Sequence, residues 1–301
     1  MTIAEQIEQL KKEKDAVILA HYYVPADVQE VADYIGDSFY LSKVATTLKN
    51  KSIVFAGVEF MGESAKILNP EKRVFMPDPS ADCPMAHMIE PEEIERVRGE
   101  YPDVAVVCYI NSTAETKTYS DVCVTSANAV KIVKNLPNKN IFFVPDQHLG
   151  SFVAEQVLEK NVILNPGYCP RHHQIKKEQV LEAKKKYPNA LVLSHPECPK
   201  EVLEVSDYIG STSGIINYAT ESNAQEFIIG TVVGVFHELK KRNPNKTFHA
   251  ITSGQVCVNM EKVTLEKVKN VLETECNEVF VDDEVRRKAL VPLTRMLELS
   301  K

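Results

Sequence analysis

Residues 17–38, VILAHYYVPADVQEVADYIGDS, contain the first copy of a pattern that the chain repeats twice more. In this copy an apolar run ends at His21, an aspartate follows at Asp33, and a hydroxyl residue follows at Ser38. The later copies place their equivalents, at the same spacing, at Tyr109, Asp121 and Ser126, and at His195, Asp207 and Thr212. A repeat of this length predicts three similar small domains.

Three cysteines occupy one shared position in the repeat. Cys83, Cys169 and Cys257 follow the three strand-end residues by 62, 60 and 62 positions. Equivalent points in three similar units can meet on a common axis. The spacing therefore predicts that these three thiols converge, although they are far apart in the sequence.

The composition is that of an ordinary globular protein, with 44% apolar and 26% charged residues in 301 positions. No apolar run approaches the roughly 18 residues that span a bilayer, and the N-terminus lacks the apolar stretch of a signal peptide. A net charge of −7 without a basic stripe argues against a nucleic-acid partner. We expect a cytoplasmic protein with no membrane partner, whose cysteines bind metal or take part in catalysis instead of forming disulfides.

Short β-branched strands that alternate with helices predict an α/β fold. We expect three pseudo-symmetric, three-layer αβα domains with short parallel sheets around a central pseudo-threefold axis. The predicted units are residues 1–88, 89–174 and 175–301, the last with a C-terminal helical tail that packs back across the first unit. Ligands bind such sheets at the carboxyl ends of the strands. We expect all the repeated residues, the aspartates included, at those ends.

Local patterns predict several of the helices. Amphipathic helices are expected near 3–14, 91–100 and 176–186, and the tail should form helices near 264–274 and 283–299. Ser38, Ser126 and Thr212 are expected as the N-caps of three helices. Helix N-termini also attract anions, so these hydroxyl residues are candidate ligands for an anionic substrate.

Three thiolates without a matching fourth suggest two kinds of metal site. One is a [4Fe–4S] cluster with one iron left open, and the other is a zinc ion that holds a water molecule. Either would supply a Lewis acid. Cys108, Cys123 and Cys276 lack the repeat register and are predicted to be structural, and Cys198 has no counterpart in the other units.

Polar side chains surround the predicted meeting point of the three units. His21, Tyr109 and His195 end the first strands, and Tyr23, Asn111, Glu197 and His172 lie close to a strand end or a cysteine in the sequence. Histidine, tyrosine and glutamate can carry protons when burial tunes their pKa values. No phosphate-binding glycine loop of the nucleotide-binding type occurs, so nucleotide binding has no support.

Nine short motifs follow one another over nearly the whole chain: AHYY, YIGDS, DCPMA, YINS, VTSANA, GYCPRHH, SHPEC, YIGSTSG and CVNM. Together they closely resemble the motifs of the quinolinate synthase A family. The resemblance implies a transferase of NAD biosynthesis that condenses iminoaspartate with dihydroxyacetone phosphate and releases phosphate and two waters. It also implies a [4Fe–4S] cluster held by Cys83, Cys169 and Cys257. Some members carry a CxxCxxC run at the third ligand. This chain has only Cys257 there, so no redox switch built on that run is expected.

The same resemblance implies roles for the surrounding residues. The implied substrate-binding residues are His21, Ser38, Tyr109, Asn111, Ser126, His172, His195, Glu197 and Thr212. Tyr23 and Glu197 are the implied proton-transfer residues, with His21, Tyr109 and His195 as further catalytic candidates. Met260 is expected close to the cluster ligands. An aspartate-oxidising enzyme is an expected functional partner.

Two other classes of protein remain open from the residues alone. A hydratase with a three-cysteine cluster would share the open iron but would need no phosphate site. A zinc-binding structural or regulatory protein would be colourless and stable in air.

Overall fold

The computed structural model describes all 301 residues and contains three four-stranded parallel sheets. The first unit contains α1 Ile3–Glu13, β1 Ala16–His21, α2 Ala26–Val31, β2 Tyr34–Gly36, α3 Ser38–Ala45, β3 Ser52–Ala56, α4 Glu59–Leu68, β4 Arg73–Phe75 and a 3₁₀ turn, Pro84–His87. The second contains α5 Pro91–Glu100, β5 Ala105–Tyr109, α6 Ala114–Thr118, β6 Val122–Val124, α7 Ala129–Asn135, β7 Asn140–Val144, α8 Gln147–Gln156, β8 Asn161–Leu164 and α9 Pro170–His173.

The third unit repeats the order and is followed by a tail. It contains α10 Lys177–Lys186, β9 Leu191–Ser194, α11 Lys200–Leu203, β10 Tyr208–Ile209, α12 Thr212–Glu221, β11 Glu226–Gly230, a 3₁₀ turn Val233–Val235, α13 Phe236–Arg242, β12 Thr247–Ala250 and a 3₁₀ turn Met260–Lys262. The tail consists of α14 Leu265–Thr274 and α15 Asp283–Leu299.

The three sheets share one strand order. In each unit the first strand lies between the second and the third, and the fourth pairs with the third, giving the orders β2-β1-β3-β4, β6-β5-β7-β8 and β10-β9-β11-β12. The central strands are buried apolar runs, as expected for parallel strands covered on both faces. The predicted α/β fold of three similar units is confirmed.

The repeated aspartates lie away from the carboxyl ends of the strands, so that part of the expectation is wrong. Each precedes the second strand of its unit and accepts a hydrogen bond from a main-chain N–H in the first strand. The bonds run from Ile18 to Asp33 at 2.8 Å, from Val106 to Asp121 at 2.7 Å and from Val192 to Asp207 at 2.8 Å. Each aspartate also pairs with a cation in the helix that precedes the first strand of its unit: Lys11, Arg98 or Lys184. These residues lock helix and strands together.

A repeated lysine has a similar structural role. In each unit its ammonium group donates hydrogen bonds to carbonyl oxygens near the C-terminal end of the helix that follows the second strand. The donors are Lys72 to Leu48 and Asn50, Lys160 to Leu136 and Asn138, and Lys246 to Ala219 and Ser222. The repeat thus encodes contacts that hold each unit together as well as residues at the strand ends.

The tail joins two units. Helix α14 packs on α1 of the first unit, as predicted, whereas α15 packs on α4 of the first unit and on α6 and β6 of the second. One continuous apolar core runs through these two units and the tail, while the third unit has separate apolar clusters. No helix combines the length and the apolar composition needed to cross a lipid bilayer.

A test of the aspartate contacts compares the first and third units. Asp33→Ala leaves the Ile18 N–H without its acceptor and weakens the pairing of Lys11, which is 8% exposed. We expect it to lower the free energy of unfolding by about 2 kcal/mol. Asp207→Ala should cost about 1 kcal/mol, because its partner Lys184 is 36% exposed and solvent screens the pair.

Urea unfolding measures both losses, and Asp33→Asn is the matched control. Because asparagine keeps an acceptor oxygen for Ile18, it should restore part of the stability. An equal loss in Asp33→Asn and Asp33→Ala would show that the hydrogen bond to Ile18 contributes nothing.

Candidate active site

One central cavity receives side chains from all three units. Its wall contains every residue that the sequence singled out as a candidate: His21, Tyr23, Ser38, Cys83, Tyr109, Asn111, Ser126, Cys169, His172, His195, Glu197, Thr212, Cys257 and Met260. The strand-end residues, the hydroxyl residues and the cysteines each contribute one member per unit. The other four cysteines lie elsewhere, and Cys198 is fully buried with its thiol directed to the carbonyl of Gly230 at 3.3 Å.

The three cysteines begin similar helical turns. Two main-chain N–H groups, from the second and third residues after each cysteine, donate towards its sulfur. Burial nevertheless raises the pKa of all three thiols, and a neighbouring sulfur raises it further for two of them, Cys257 for Cys83 and Cys83 for Cys169. Three thiolates in one buried cavity would concentrate negative charge, which a bound cation would compensate.

The donor atoms of the site are unevenly spaced. Cys169, His172 and Glu197 have donor atoms within 4.8 Å of one another, and Cys83 and Cys257 fall outside this group. One zinc ion with Zn–S bonds of about 2.3 Å would require its three sulfurs within about 4 Å. A multinuclear cluster spreads its thiolates further apart. The three sulfurs are therefore not arranged around one point, as a single zinc ion with three cysteine ligands would require.

A hydrogen-bonded chain crosses the cavity wall. Tyr109 donates to Oε1 of Glu197 at 2.5 Å, and His172 Nδ1 lies 2.7 Å from Oε2 of the same carboxylate. Because a carboxylate only accepts, Nδ1 is the donor, which leaves His172 Nε2 facing the Thr231 hydroxyl at 2.8 Å. The Tyr23 hydroxyl lies 2.6 Å from that of Thr231 and 2.8 Å from that of Thr212. The chain thus connects all three units.

Glu197 is the charged member of this chain. The residue is 4% exposed, and burial by itself raises the pKa of a carboxyl. The His172 and His195 rings and the hydrogen bonds from His172 and Tyr109 outweigh burial and hold the pKa of Glu197 below its ordinary value. Burial and the charge of Glu197 raise the pKa of Tyr23 and Tyr109. A carboxylate thus faces two protonated phenols.

His21 and His195 occupy equivalent positions and share one hydrogen-bond arrangement. The N–H of Tyr23 donates to His21 Nδ1 at 3.1 Å, and the N–H of Glu197 donates to His195 Nδ1 at 3.3 Å. Burial lowers the pKa of His21 to about 3 and that of His195 to about 4, against the attraction of Glu197. Both rings are therefore neutral with the proton on Nε2, and His195 donates it to Ser126 at 3.0 Å.

None of the three hydroxyl residues is an N-cap, so that prediction is wrong. Ser38 and Thr212 each follow the capping residue by one position, whereas Ser126 lies two positions before Asn128, the residue that precedes α7. Asp37 caps α3 by accepting from the Tyr40 N–H at 2.9 Å, and Ser211 caps α12 by accepting from the Gly214 N–H at 3.1 Å. In the second unit Asn128 precedes α7 and accepts from the Thr125 N–H. Because other residues make the capping contacts, Ser38, Ser126 and Thr212 keep their hydroxyls in the cavity wall.

Thr231 is a member of the hydrogen-bonded chain that the sequence analysis missed. It is fully buried and joins Tyr23 to His172. The other units have Gly57 and Pro145 at this repeat position, so the repeat offers no signal for it. Its place directly after β11 was an available clue, because it is at a strand's carboxyl end.

The backbone beside Tyr23 is held by close packing. Gly234 lies against the Tyr23 main chain, where an added Cβ would come within 2.6 Å of Tyr23 Cα. Gln29 is fully buried and donates to the carbonyl oxygens of Tyr22, Val24 and Gly234. Gly234 belongs to the 3₁₀ turn Val233–Val235, and α13 begins directly after it at Phe236.

Fold and site together define a three-unit α/β enzyme with a cysteine-lined central cavity and a buried hydrogen-bonded chain of tyrosine, threonine, histidine and glutamate. The chain belongs to the quinolinate synthetase A protein family, whose model matches residues 5–298.

Proteins named quinolinate synthase are similar along almost their whole length. The relative from Fusobacterium nucleatum is 56% identical over 296 residues, which cover 98% of this chain and 99% of the relative. The relative from Clostridioides difficile is 52% identical over 98% of this chain and 97% of its own length. The relative from Thermodesulfovibrio yellowstonii is 47% identical over 98% of this chain and 97% of its own length. The family resemblance seen in the sequence is confirmed.

The neutral histidines make stability depend on pH. Since the pKa of His195 in the folded protein is lowered to about 4, the unfolded chain binds a proton first as the pH falls below its ordinary value near 6.5. The stability linked to His195 is therefore present above about pH 6.5 and is lost as the pH falls towards 4. Between pH 7 and pH 5, we expect the free energy of unfolding to fall by about 2 kcal/mol more in the original protein than in His195→Asn.

Urea unfolding at the two pH values measures this loss in the original protein and in the variant. A loss of equal size in both proteins would contradict the neutral, buried state of His195.

Proposed function

We propose that this protein is a quinolinate synthase, which condenses iminoaspartate with dihydroxyacetone phosphate to quinolinate in NAD biosynthesis. The observation that carries the proposal is the convergence of three equivalent cysteines with a buried Tyr–Thr–His–Glu chain in one cavity, in a chain of this family. The reaction releases phosphate and two waters and leaves the overall oxidation state unchanged. It needs proton transfer, hydroxide removal and binding of several anionic groups.

The cysteines are the proposed ligands of the cofactor. Cys83, Cys169 and Cys257 would hold a [4Fe–4S] cluster, and because the cavity wall contains no fourth cysteine, one iron would have no cysteine ligand. When bound, the cluster supplies a Lewis acid that assists hydroxide removal. The main-chain N–H groups that donate towards each sulfur stabilise the thiolates.

The hydrogen-bonded chain is the proposed proton carrier. Glu197 accepts a hydrogen bond from His172, and the Thr231 hydroxyl connects His172 to the hydroxyl of Tyr23. A proton taken from substrate at Tyr23 or near Glu197 can therefore move along the chain without contact with bulk water. Tyr109 stabilises the carboxylate by donating to it.

The neutral rings and hydroxyls are the proposed substrate-binding groups. His21 and His195 carry their protons on Nε2 and can donate to carboxylate or carbonyl oxygens. Ser38, Ser126 and Thr212 add hydroxyl donors from near the start of three helices, where the helix dipole favours anions. Asn111 adds a buried Oδ1 that has no hydrogen-bond partner in the protein and can accept from the substrate.

The last part of the proposal concerns the supply of iminoaspartate and the location of the protein in the cell. An imine such as iminoaspartate hydrolyses in water, so we propose that an aspartate-oxidising enzyme supplies it close to this protein. We further propose a cytoplasmic location, where thiols stay reduced.

An anaerobic assay with purified protein tests the proposed activity. Iminoaspartate, formed from oxaloacetate and ammonium, is mixed with dihydroxyacetone phosphate, and quinolinate and released phosphate are measured together. We expect equal amounts of the two products. Phosphate without quinolinate, or neither product from iron-loaded protein, would contradict the proposal, and a hydratase would release no phosphate.

Cysteine variants in the same experiment test the cofactor. Cys83→Ser, Cys169→Ser and Cys257→Ser should each lose the visible absorption of the cluster and the activity. Cys276→Ser, in the tail, is the matched control and should keep both. Any of the three ligand variants that retained a full cluster and full activity would refute the assignment.

Substitutions of Thr231 test the proposed proton carrier separately from the cofactor. Thr231→Val keeps the shape of the side chain but removes the hydroxyl between Tyr23 and His172. We expect kcat to fall at least about tenfold while cluster absorption is unchanged, because a proton carrier is interrupted. Thr231→Ser restores a hydroxyl and should recover most of the rate. Equal rates for the serine and valine variants would exclude a role for the hydroxyl.

A further inference from the structure

Lys117, on α6, is a buried cation without a carboxylate partner. Its side chain is 0% exposed, and no carboxylate oxygen lies within 4.0 Å of its ammonium group. Lysine is almost never fully buried unless it is paired. By contrast, Lys11, which is also buried, lies 2.8 Å from Asp33. The burial of Lys117 therefore requires another explanation.

The ammonium group contacts two parts of the cavity wall from outside the cavity. It donates a hydrogen bond to the carbonyl oxygen of Ser112, and it lies 5.7 Å from the centre of the Phe60 ring. Phe60 lines the cavity, and Ser112 directly follows Asn111, which also lines it. Lys117 itself is absent from the cavity wall. A single cation thus connects a loop and an aromatic ring of the site.

The loop that Lys117 contacts is held by further polar contacts. Ser112 is fully buried, and its hydroxyl donates to the carbonyl oxygen of Tyr109 at 2.8 Å. The N–H of Ala114 donates to Glu63 at 2.9 Å. Together these contacts set the position of Asn111, whose Oδ1 is buried without a partner.

Two groups that the ammonium group does not contact interact with its charge. Burial raises the pKa of the Glu63 carboxyl, and the charge of Lys117 opposes that rise. The second group is a thiol. Burial opposes ionisation of Cys108, but hydrogen bonding to Cys123 and the charge of Lys117 lower the pKa of Cys108 to about 6. Cys108 lies outside the cavity wall and immediately before Tyr109. Lys117, Cys108 and Ser112 thus lie behind the cavity wall and support the residues that form it.

Stability alone gives little reason to keep this lysine. Desolvation of an ammonium group is costly, and the hydrogen bond to the Ser112 carbonyl oxygen offsets only part of that cost. We propose that Lys117 is a positioning residue that holds Asn111 and Phe60 in the geometry that binds substrate. The inference deepens the proposed quinolinate synthase activity and rests on it.

The test replaces the charge without leaving a large cavity. Lys117→Met should change the melting temperature little, because removal of the desolvated charge offsets the lost hydrogen bond to Ser112, and it should leave the cluster absorption unchanged. We expect kcat/KM to fall about 10- to 100-fold, mostly through KM, because the ground-state binding of substrate is weakened. Hydrogen exchange of the main-chain amides in residues 110–114 should become faster.

Lys72→Met is the matched control. Lys72 is 8% exposed and also donates to carbonyl oxygens, those of Leu48 and Asn50, but it lies outside the cavity wall. This variant should lose stability and keep kcat and KM. A double-mutant cycle with Asn111→Ala adds a second comparison, in which Lys117→Met should have little further effect on KM once Asn111 is gone.

Three results would overturn the proposal. They are a lowered melting temperature in Lys117→Met with unchanged kcat and KM, unchanged exchange in residues 110–114, and additive effects of the two substitutions in the cycle. If the original protein forms no quinolinate, the proposed function fails, whereas the exchange comparison still decides whether Lys117 holds the loop.

Discussion

The buried carboxylate of Glu197 is the constraint around which the three units are arranged. A charge that is 4% exposed is tolerated only when polar partners surround it. Its partners Tyr109 and His172 come from the second unit, while Glu197 belongs to the third. Thr231 then extends the chain from His172 to Tyr23 of the first unit. The interaction that keeps this carboxylate ionised therefore also connects the units across the cavity.

The repeat divides its polar residues by function. Asp33, Asp121 and Asp207 hold a helix to two strands, and the repeated lysines bind carbonyl oxygens near helix ends. These contacts are local to each unit. The strand-end residues, hydroxyl residues and cysteines of the repeat instead face the shared cavity. Each unit thus contributes both the framework that supports its sheet and one part of the site.

Several sequence-based predictions were wrong because spacing in the sequence does not show which partner a residue or a helix contacts. Ser38 and Thr212 were expected as N-caps, but Asp37 and Ser211, one residue earlier, make the capping hydrogen bonds. Sequence pattern locates a helix start only to within a residue or two. The aspartates were placed at the wrong edge because the spacing shows that they recur without showing which partner they bind. Helix α15 was assigned too narrowly, because its apolar face contacts two units.

The sequence by itself determined the three units, the buried parallel strands, and the cysteines, histidines and hydroxyl residues that meet in the cavity. It could do so because apolar periodicity is a local property, and because repetition turns equal spacing into equal position in the fold. Only the tertiary structure decided the pairing of Glu197 with His172, the bridging place of Thr231 and the burial of Lys117. These contacts join residues that do not repeat, and they depend on how the separate elements pack in space.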